Sequence, residues 1–352
     1  MSPFDHPLLS GLLGDDEVAP YFLADAEIQQ MLRFEQELAL AEGALGVIPA
    51  EAAQAIAGEL QAFVPNYELI RRATVRDGVV CVELIRQLRE FLGSPLDRHV
   101  HFGATSQDLV DTGLLLRLRP ILGLFDQRLA ALELKLGGLA ERFGGNQVMA
   151  RTRMQDALPI AVGEKLQTWR APLGRHRARL AQLSPRLFVL QFGGAAGTLD
   201  RLGDRGPQVA ARLAAALELG VPERAWHSQR DGIVELAGWL SLVSGALGKI
   251  GADVALMAQN RFGDIELEGG GGSSAMPHKS NPIAAEILVA LAHFNAGLTG
   301  GINGALIHEQ ERSGAAWTLE WLILPQMIMA TGAALRTAQT LLGQILRIGR
   351  AP

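Results

Sequence analysis

The stretch RDGIVELAGWLSLVSGALGKIGADVALMAQNRF, residues 230–262, decides the fold. Its large apolar residues recur at alternating steps of three and four, the spacing of a heptad seam on one face of a helix. These residues are Ile233, Leu236, Leu240, Val243, Leu247, Ile250, Val254 and Met257. The pattern predicts one long helix that packs against other helices in a bundle.

Small residues form a second stripe along the same helix, with the same spacing. They are Gly238, Ser241, Gly245, Gly248, Ala252 and Ala255. An interior glycine costs a helix about 1 kcal/mol relative to alanine, and close approach of another helix backbone would offset that cost. We therefore expect this helix to be packed on several sides, in a homo-oligomer with a shared helical core.

The remainder of the chain is also predicted to be helical. Aromatic residues make up only 5% of the chain, and Ala, Leu and Gly dominate, which favours close-packed helices over sheets. Residues 150–156 are expected to be a loop. Helices are predicted at 24–46, capped by Asp25, and at 49–60, 66–92, 106–143, 156–183, 207–219, 230–262, 283–311 and 314–347. The expected fold is all-α, with an N-terminal helical domain (1–93) and a central long-helix bundle domain (94–352).

Charge and cysteine content restrict the class of protein. The net charge is -5 and acidic and basic residues are interspersed, so the sequence does not indicate the basic patch of a nucleic-acid-binding protein. The single cysteine, Cys81, allows no intrachain disulfide, and no basic segment opens the chain, so we expect a cytoplasmic protein. Residues 287–307 are apolar enough to span a membrane, but they hold a histidine, two asparagines and four glycines. A buried helix in a soluble bundle, with no membrane partner, is the expectation.

Four polar segments at helix ends or in loops could carry chemistry, at residues 99–108, 151–155, 229–231 and 271–286. His99 and His101 could ligate a metal, but no third ligand follows at a recognisable spacing, so we expect no metal. Two adjacent hydroxyls at a helix N-terminus can cap it and can also hold a carboxylate. The candidate ligands for an anion are Thr105, Ser106, Arg153, Gln155, Arg230, Lys279 and Asn281. Because donors outnumber acceptors, a small polycarboxylate is the expected ligand.

The fourth segment, residues 271–286, overlaps the stretch GGGGSSAMPHKSNP at residues 269–282. This stretch cannot be a helix or a strand, because it holds four glycines and two prolines. Its composition suits a flexible linker as well as a loop that closes over a site. Lys279 and Asn281 favour the functional interpretation, since a plain linker needs neither.

Three of these segments resemble the motifs of the fumarase/aspartase superfamily. GSSAMPHKSNP (272–282) is similar to its loop motif, and HFGATSQDLVDT (101–112) and RTRMQDALP (151–159) are similar to its first and second blocks. The resemblance implies a nearly all-helical subunit and a homotetramer whose composite active sites each combine three chains. It also implies β-elimination, or its reverse, on carboxylate substrates, with no metal and no organic cofactor.

Residue roles follow from the same resemblance. Ser273, beside Ser274, falls on the loop serine that commonly acts as base, and Lys279 and Asn281 fall on substrate-binding positions. Glu286 falls on the glutamate that orients a catalytic histidine of the second block. Arg153 stands where that histidine is expected. Since an arginine stays protonated, it cannot perform the same proton transfer, and this departure counts against adenylosuccinate and argininosuccinate lyases.

Segments 190–206, 225–232 and 244–259 resemble the lactone-forming branch of the superfamily, which implies intramolecular addition of a carboxylate to a double bond. His101, Ser273 and Lys279 remain alternative proton donors, and Ser273 could instead bind a carboxylate. A fumarate-releasing lyase and a catalytically inactive helical scaffold are the alternative functions. Superfamily members commonly carry a further helical domain after this point, so we expect the C-terminal domain to be missing.

Overall fold

The computed structural model describes residues 2–272, 276 and 280–351. Within them, the α-helices are α1 (Ser10–Leu13), α2 (Ala24–Ala44), α3 (Ala50–Glu59), α4 (Tyr67–Asp77), α5 (Cys81–Leu92), α6 (Ser106–Phe143), α7 (Val162–Leu187), α8 (Gly206–Ala216), α9 (Asp231–Met257), α10 (Ile283–Gly304) and α11 (Gly314–Gly343). The strands are β1 (Gln147–Thr152), β2 (Gln155–Ala161), β3 (Ile265–Leu267) and β4 (Ile345–Ile348). Short 3-10 helices span Ala19–Phe22, Leu60–Ala62, Asp97–His99 and Asp200–Arg205. The fold is predominantly helical, as predicted.

The core is a bundle of long helices around α9. All eight residues of the predicted heptad seam are buried, from Ile233 to Met257. α9 packs against α7, α10 and α11, and α6 packs against α7 and α11. The predicted central helix is therefore confirmed, and its apolar face is covered within one chain.

The glycine stripe of α9 is covered only in part. A Cβ on Gly251 would lie 2.5 Å from the carbonyl oxygen of Ala285, and one on Gly248 would lie 2.5 Å from Ala292 Cβ. At these two positions the missing side chain lets α10 approach closely. Gly238 and Gly245 have no neighbouring atom within 4 Å of such a Cβ. Of the three glycines in the stripe, two therefore face open space in the single chain and only Gly248 is covered, while Gly251 is a further glycine outside the stripe.

The N-terminal helices differ from the prediction at two points. Residues 66–92 form two helices, because Gly78 takes a left-handed conformation with φ +71° and ends α4. Asp25 does not cap α2; it lies in the first helical turn and accepts a hydrogen bond from the Tyr67 hydroxyl. The expected domain boundary at residue 93 falls in the connection between α5 and α6, and it stays a prediction.

The largest departure from the prediction is a β-hairpin. β1 and β2 pair antiparallel, from Gln147 opposite Ala161 to Thr152 opposite Gln155, and α7 begins only at Val162. The turn residues Arg153 and Met154 have φ +50° and +66°, the conformation of a tight two-residue hairpin turn. A second small sheet pairs β3 with β4. The fold is thus not entirely helical.

The helix α10 is less buried than predicted. Within the described residues, three helices (α9, α10 and α11) are long and apolar enough to cross a membrane by length and composition. In α10, only 22% of the most apolar stretch is buried, against 67% in α11. α10 packs on α9 and α11 with one side and exposes the other. An apolar helix face of this kind requires a further covering surface.

Candidate active site

The first block, at the N-terminus of α6, is rigidly built. Thr105 is the N-cap residue, and its backbone N–H donates to Asp108 Oδ2 at 3.0 Å. Asp108 is buried and also accepts from the backbone N–H groups of Gly193 and Gly194, both at 2.9 Å. His227 Nε2 lies 2.7 Å from Asp108 Oδ1. These bonds fix the start of α6 and leave the Thr105 and Ser106 side chains partly exposed.

An arginine that the sequence analysis did not identify completes this block. Arg312 precedes α11 and donates from Nη1 to Thr105 Oγ1 at 2.6 Å, and from Nη2 to the carbonyl oxygen of Ala195. Its guanidinium is only partly buried. A positive charge therefore stands beside the predicted carboxylate-binding hydroxyls. The only signal in the sequence is the polar run HEQERS before α11, which lies far from the first block along the chain.

His101 lies in the same block and contacts a buried carboxylate. Its Nδ1 is 2.5 Å from Oε1 of Glu35, a residue of α2 that is 2% exposed. Burial of the imidazole opposes its charge, but the charge and hydrogen bond of Glu35 outweigh this effect and raise the pKa of His101 above its ordinary value. The contact with Glu35 therefore favours the protonated imidazole, the form that a proton donor requires.

The second block lies at the opposite end of α6. Arg153 and Gln155 are exposed at the tip of the hairpin that follows the helix, and their side chains form no hydrogen bond with other described residues. α6 has 38 residues, so the two blocks are about 57 Å apart along one chain. The hairpin itself is well anchored, because Arg151 pairs with Asp156 at 3.0 Å and with Asp264.

The described part of the loop lies near the hairpin end. The loop follows β3, and backbone hydrogen bonds of 2.9 Å and 3.0 Å join Gly271 and Asn281. A cavity of about 610 Å³ beside it is lined by Asn281, Ser280, Arg336 and Arg347 among others. Ser273, Ser274 and Lys279 lie outside the described residues. Glu286 is exposed in the first turn of α10 and forms no ion pair with another described residue.

Arg230 has a different environment from the one predicted. It is buried and donates to Asp111 and to Glu320, with its shortest contact to Asp111 at 2.6 Å. Trp317 Nε1 also donates to Asp111, at 2.9 Å. All three nitrogens of the buried guanidinium donate to these two carboxylates, which tie the start of α9 to α6 and α11. The substrate-binding role of Arg230 stays a prediction.

In the described residues, no group of three His, Cys, Asp or Glu side chains has the geometry of a metal site. His99 Nε2 instead accepts a hydrogen bond from Arg98 Nε at 3.2 Å. What the chain provides is a set of hydroxyl and cationic donors with one imidazole. This arrangement suits binding of carboxylates and transfer of a proton.

Comparison with known proteins identifies the family. The family model described as lyase matches residues 16–294. The chain is 42% identical to 3-carboxy-cis,cis-muconate cycloisomerase of Pseudomonas aeruginosa, over 90% of this chain and 70% of the relative. It is 39% identical to the Bradyrhizobium diazoefficiens protein of the same name, over 95% of this chain and 76% of that relative. The crystal structure of the Pseudomonas putida 3-carboxy-cis,cis-muconate lactonizing enzyme superposes with a TM-score of 0.91 at 38% identity, over 97% of this chain and 77% of that one. The chain therefore belongs to this lyase family, the fumarase/aspartase superfamily that its three motifs resemble.

Proposed function

We propose that this protein is a cycloisomerase that converts 3-carboxy-cis,cis-muconate to a carboxymuconolactone, in the protocatechuate branch of the β-ketoadipate pathway. Relatives at 42% and 39% identity carry the name of this activity. The observation in the chain itself that carries the proposal is the contact of Arg312 with Thr105 at the start of α6. It places a guanidinium, two hydroxyls and a helix N-terminus where one carboxylate can be received.

The reaction needs no nucleophile from the protein. One carboxylate oxygen of the substrate attacks a carbon of its own conjugated double bond, and a C–O bond forms. The electron pair of the double bond moves to the neighbouring carbon and into the carboxylate conjugated with it, which then carries a second negative charge. A proton delivered to that carbon completes the isomerisation. The protein must therefore hold a trianion in a ring-closing conformation, stabilise the developing charge and supply one proton.

The residues divide between these tasks. Thr105, Ser106 and Arg312 are proposed to bind a carboxylate, and His101 Nε2 is proposed to donate the proton. Its imidazole has a raised pKa and lies in the same block. The hairpin residues Arg153 and Gln155 and the loop residue Asn281 are proposed to bind the other carboxylates. Ser273, Ser274 and Lys279 retain the loop roles that the resemblance implies, with Glu286 as an orienting residue beside Arg153.

A homotetramer with composite sites is part of the proposal. The first block and the hairpin stand about 57 Å apart in one chain, too far to bind one small substrate. Antiparallel packing of a second chain would bring its hairpin end next to the first block. The exposed apolar face of α10 and the open glycines of α9 provide a surface for that packing. We also propose a cytoplasmic location, which suits the single, buried Cys81 thiol.

A substrate panel tests the proposed function. The purified protein is offered 3-carboxy-cis,cis-muconate, adenylosuccinate and argininosuccinate in separate reactions, and ultraviolet absorbance is followed. We expect loss of the conjugated diene with the first compound and no turnover of the other two. Useful turnover of either succinyl compound would replace the proposal with a fumarate-releasing lyase. No turnover of any of the three would favour the inactive scaffold.

A further inference from the structure

The carboxylate that raises the pKa of His101 is buried behind the first block. Glu35 lies in α2, its side chain is 2% exposed, and its Oε1 is 2.5 Å from His101 Nδ1. Among the described residues, no other hydrogen bond to the Glu35 side chain is formed. A buried carboxylate is stable only when it is paired, so Glu35 and His101 depend on each other.

The backbone of His101 is held in a conformation that fits this contact. Its φ is +59°, in the left-handed region that a histidine seldom adopts. In this conformation the ring contacts Glu35 of α2. Nδ1 is thereby engaged, while Nε2 forms no hydrogen bond within the described residues and is not among their buried unsatisfied atoms. Nε2 is the ring nitrogen that remains available to a ligand.

The charges around the ring come from four elements. Glu35 and Glu42 lie on α2, and Asp108 lies on α6. Arg89 of α5 donates to the carbonyl oxygen of Val100 at 3.1 Å, and Arg201 of the 3-10 helix stacks on Phe102. Asp108 is occupied by two backbone N–H groups and by His227.

Burial raises the pKa of Glu42 to about 9, so this residue is neutral at pH 7. Glu35 is therefore the carboxylate on α2 that acts on His101.

We propose that Glu35 is a positioning residue that fixes the His101 ring with Nδ1–H towards α2 and presents Nε2–H to the substrate as the proton donor. Glu35 itself touches no substrate, because it lies behind the imidazole. After the proton leaves Nε2, the neutral ring keeps its proton on Nδ1, bonded to Glu35. Reprotonation from solvent at Nε2 then restores the donor without a rotation of the ring. This inference rests on the proposed function.

Glu35→Gln and its matched control Glu42→Gln test the proposal. Both replace a buried α2 carboxyl by an amide of the same shape, but only the first removes the charge that faces His101. The C2 proton of His101 is followed by NMR as a function of pH, with its signal assigned by its absence in His101→Asn. We expect the His101 titration to move to lower pH in Glu35→Gln and to stay unchanged in Glu42→Gln.

The pH profile of kcat/KM gives the second measurement. A general acid must be protonated, so the alkaline limb should move to lower pH in Glu35→Gln, with a loss of roughly tenfold or more at pH 8. If Glu35→Gln does not fold, Glu35→Asp takes its place in the test. This variant keeps the charge, so its His101 should still titrate above the ordinary range. A His101 titration in the wild-type protein at or below the ordinary range, or one that Glu35→Gln leaves in place, would overturn the inference. The NMR result stands even if no lactone is formed, so failure of the proposed function is recognised separately.

Discussion

Arg312 is the side chain on which the proposed carboxylate site depends most. It stands 2.6 Å from Thr105 Oγ1, and it is half-buried rather than part of the core. A guanidinium can hold a carboxylate through two parallel hydrogen bonds, a geometry that lysine does not reproduce. We therefore expect Arg312 to contribute to binding more than to folding.

Arg312→Ala should lower kcat/KM for 3-carboxy-cis,cis-muconate by about ten- to a hundredfold, the cost of losing a charged hydrogen bond. The kcat/KM of Arg312→Lys should lie between those of Arg312→Ala and the wild type. Arg205→Ala is the matched control, because Arg205 also donates two hydrogen bonds to other elements, but its acceptors are the carbonyl oxygens of Leu45 and Gly46, at 2.7 Å and 2.6 Å, outside the block. Steady-state kinetics provide the measurement, and full activity in Arg312→Ala would remove this arginine from the site.

Glu42 makes stability depend on pH. Burial, and then the charge of Glu35, raise the pKa of Glu42 from 4.5 to about 9, and neither of its carboxyl oxygens has a hydrogen-bond partner among the described residues. Between these two values the folded protein holds a proton that the unfolded chain releases. Stability contributed by the protonated form is complete below the unfolded pKa and is lost as pH rises towards the folded pKa.

The free energy of unfolding should therefore fall by up to about 1.4 kcal/mol per pH unit from this one group. Glu42→Gln removes that dependence, so its stability advantage over the wild type should grow from pH 5 to pH 9. Urea unfolding at several pH values measures both curves. Parallel curves for the two proteins would show that Glu42 is ionised in the folded state.

At the level of helices, the packing of α9 against α10 can be tested at Gly251, where the two backbones approach closely. A Cβ on Gly251 would lie 2.5 Å from the backbone oxygen of Ala285, an atom that cannot move aside without shifting α10. Gly123, in α6, is an exposed helical glycine with no atom within 4 Å of such a Cβ. The two glycines therefore differ in packing and not in secondary structure.

Gly251→Ala should destabilise the protein by about 1–3 kcal/mol, the usual cost of overpacking. Gly123→Ala should be neutral or stabilising by up to about 1 kcal/mol, because alanine is the better helix former. Thermal unfolding of the two variants gives the comparison. Equal effects would mean that α9 and α10 are not in backbone contact at Gly251.

The sequence predicted the helices better than the irregular elements, and the reason is periodicity. The seam from Ile233 to Met257 repeats often enough to identify a buried face, and every one of its residues is buried. The hairpin carries no such signal. Its turn is formed by Arg153 and Met154 at positive φ, without the glycine or asparagine that usually marks such a turn. A helix was therefore predicted where β2 lies.

The candidate site was predictable only where neighbouring residues form it. Thr105 and Ser106 are adjacent, and the sequence predicts a cap at one of them, which the structure places at Thr105. Glu35 and Arg312 reach the same block from α2 and from the segment before α11, so their contacts depend on the packing of whole helices. The burial of Arg230 depends likewise on Asp111 and Glu320, each of which lies on a different helix.

For the molecule as a whole, we propose that segments from different chains form each active site. α6 separates the first block from the hairpin, and α9, with 27 residues, separates the first block from the loop by about 40 Å. His101 of one chain and Lys279 of another should therefore serve the same substrate molecule. His101→Asn and Lys279→Ala should each abolish most of the activity and leave the proposed tetramer intact.

Mixing these two inactive variants tests the claim most directly. The proteins are dissociated together, allowed to reassemble, and assayed with 3-carboxy-cis,cis-muconate beside each variant treated alone. Random assembly leaves both residues intact at about a quarter of the sites, because each contributing chain is unaltered at that position half of the time. We predict that about this fraction of wild-type activity returns in the mixture and none in either variant alone. Mixed tetramers without recovered activity would mean that His101 and Lys279 of different chains do not form a common active site.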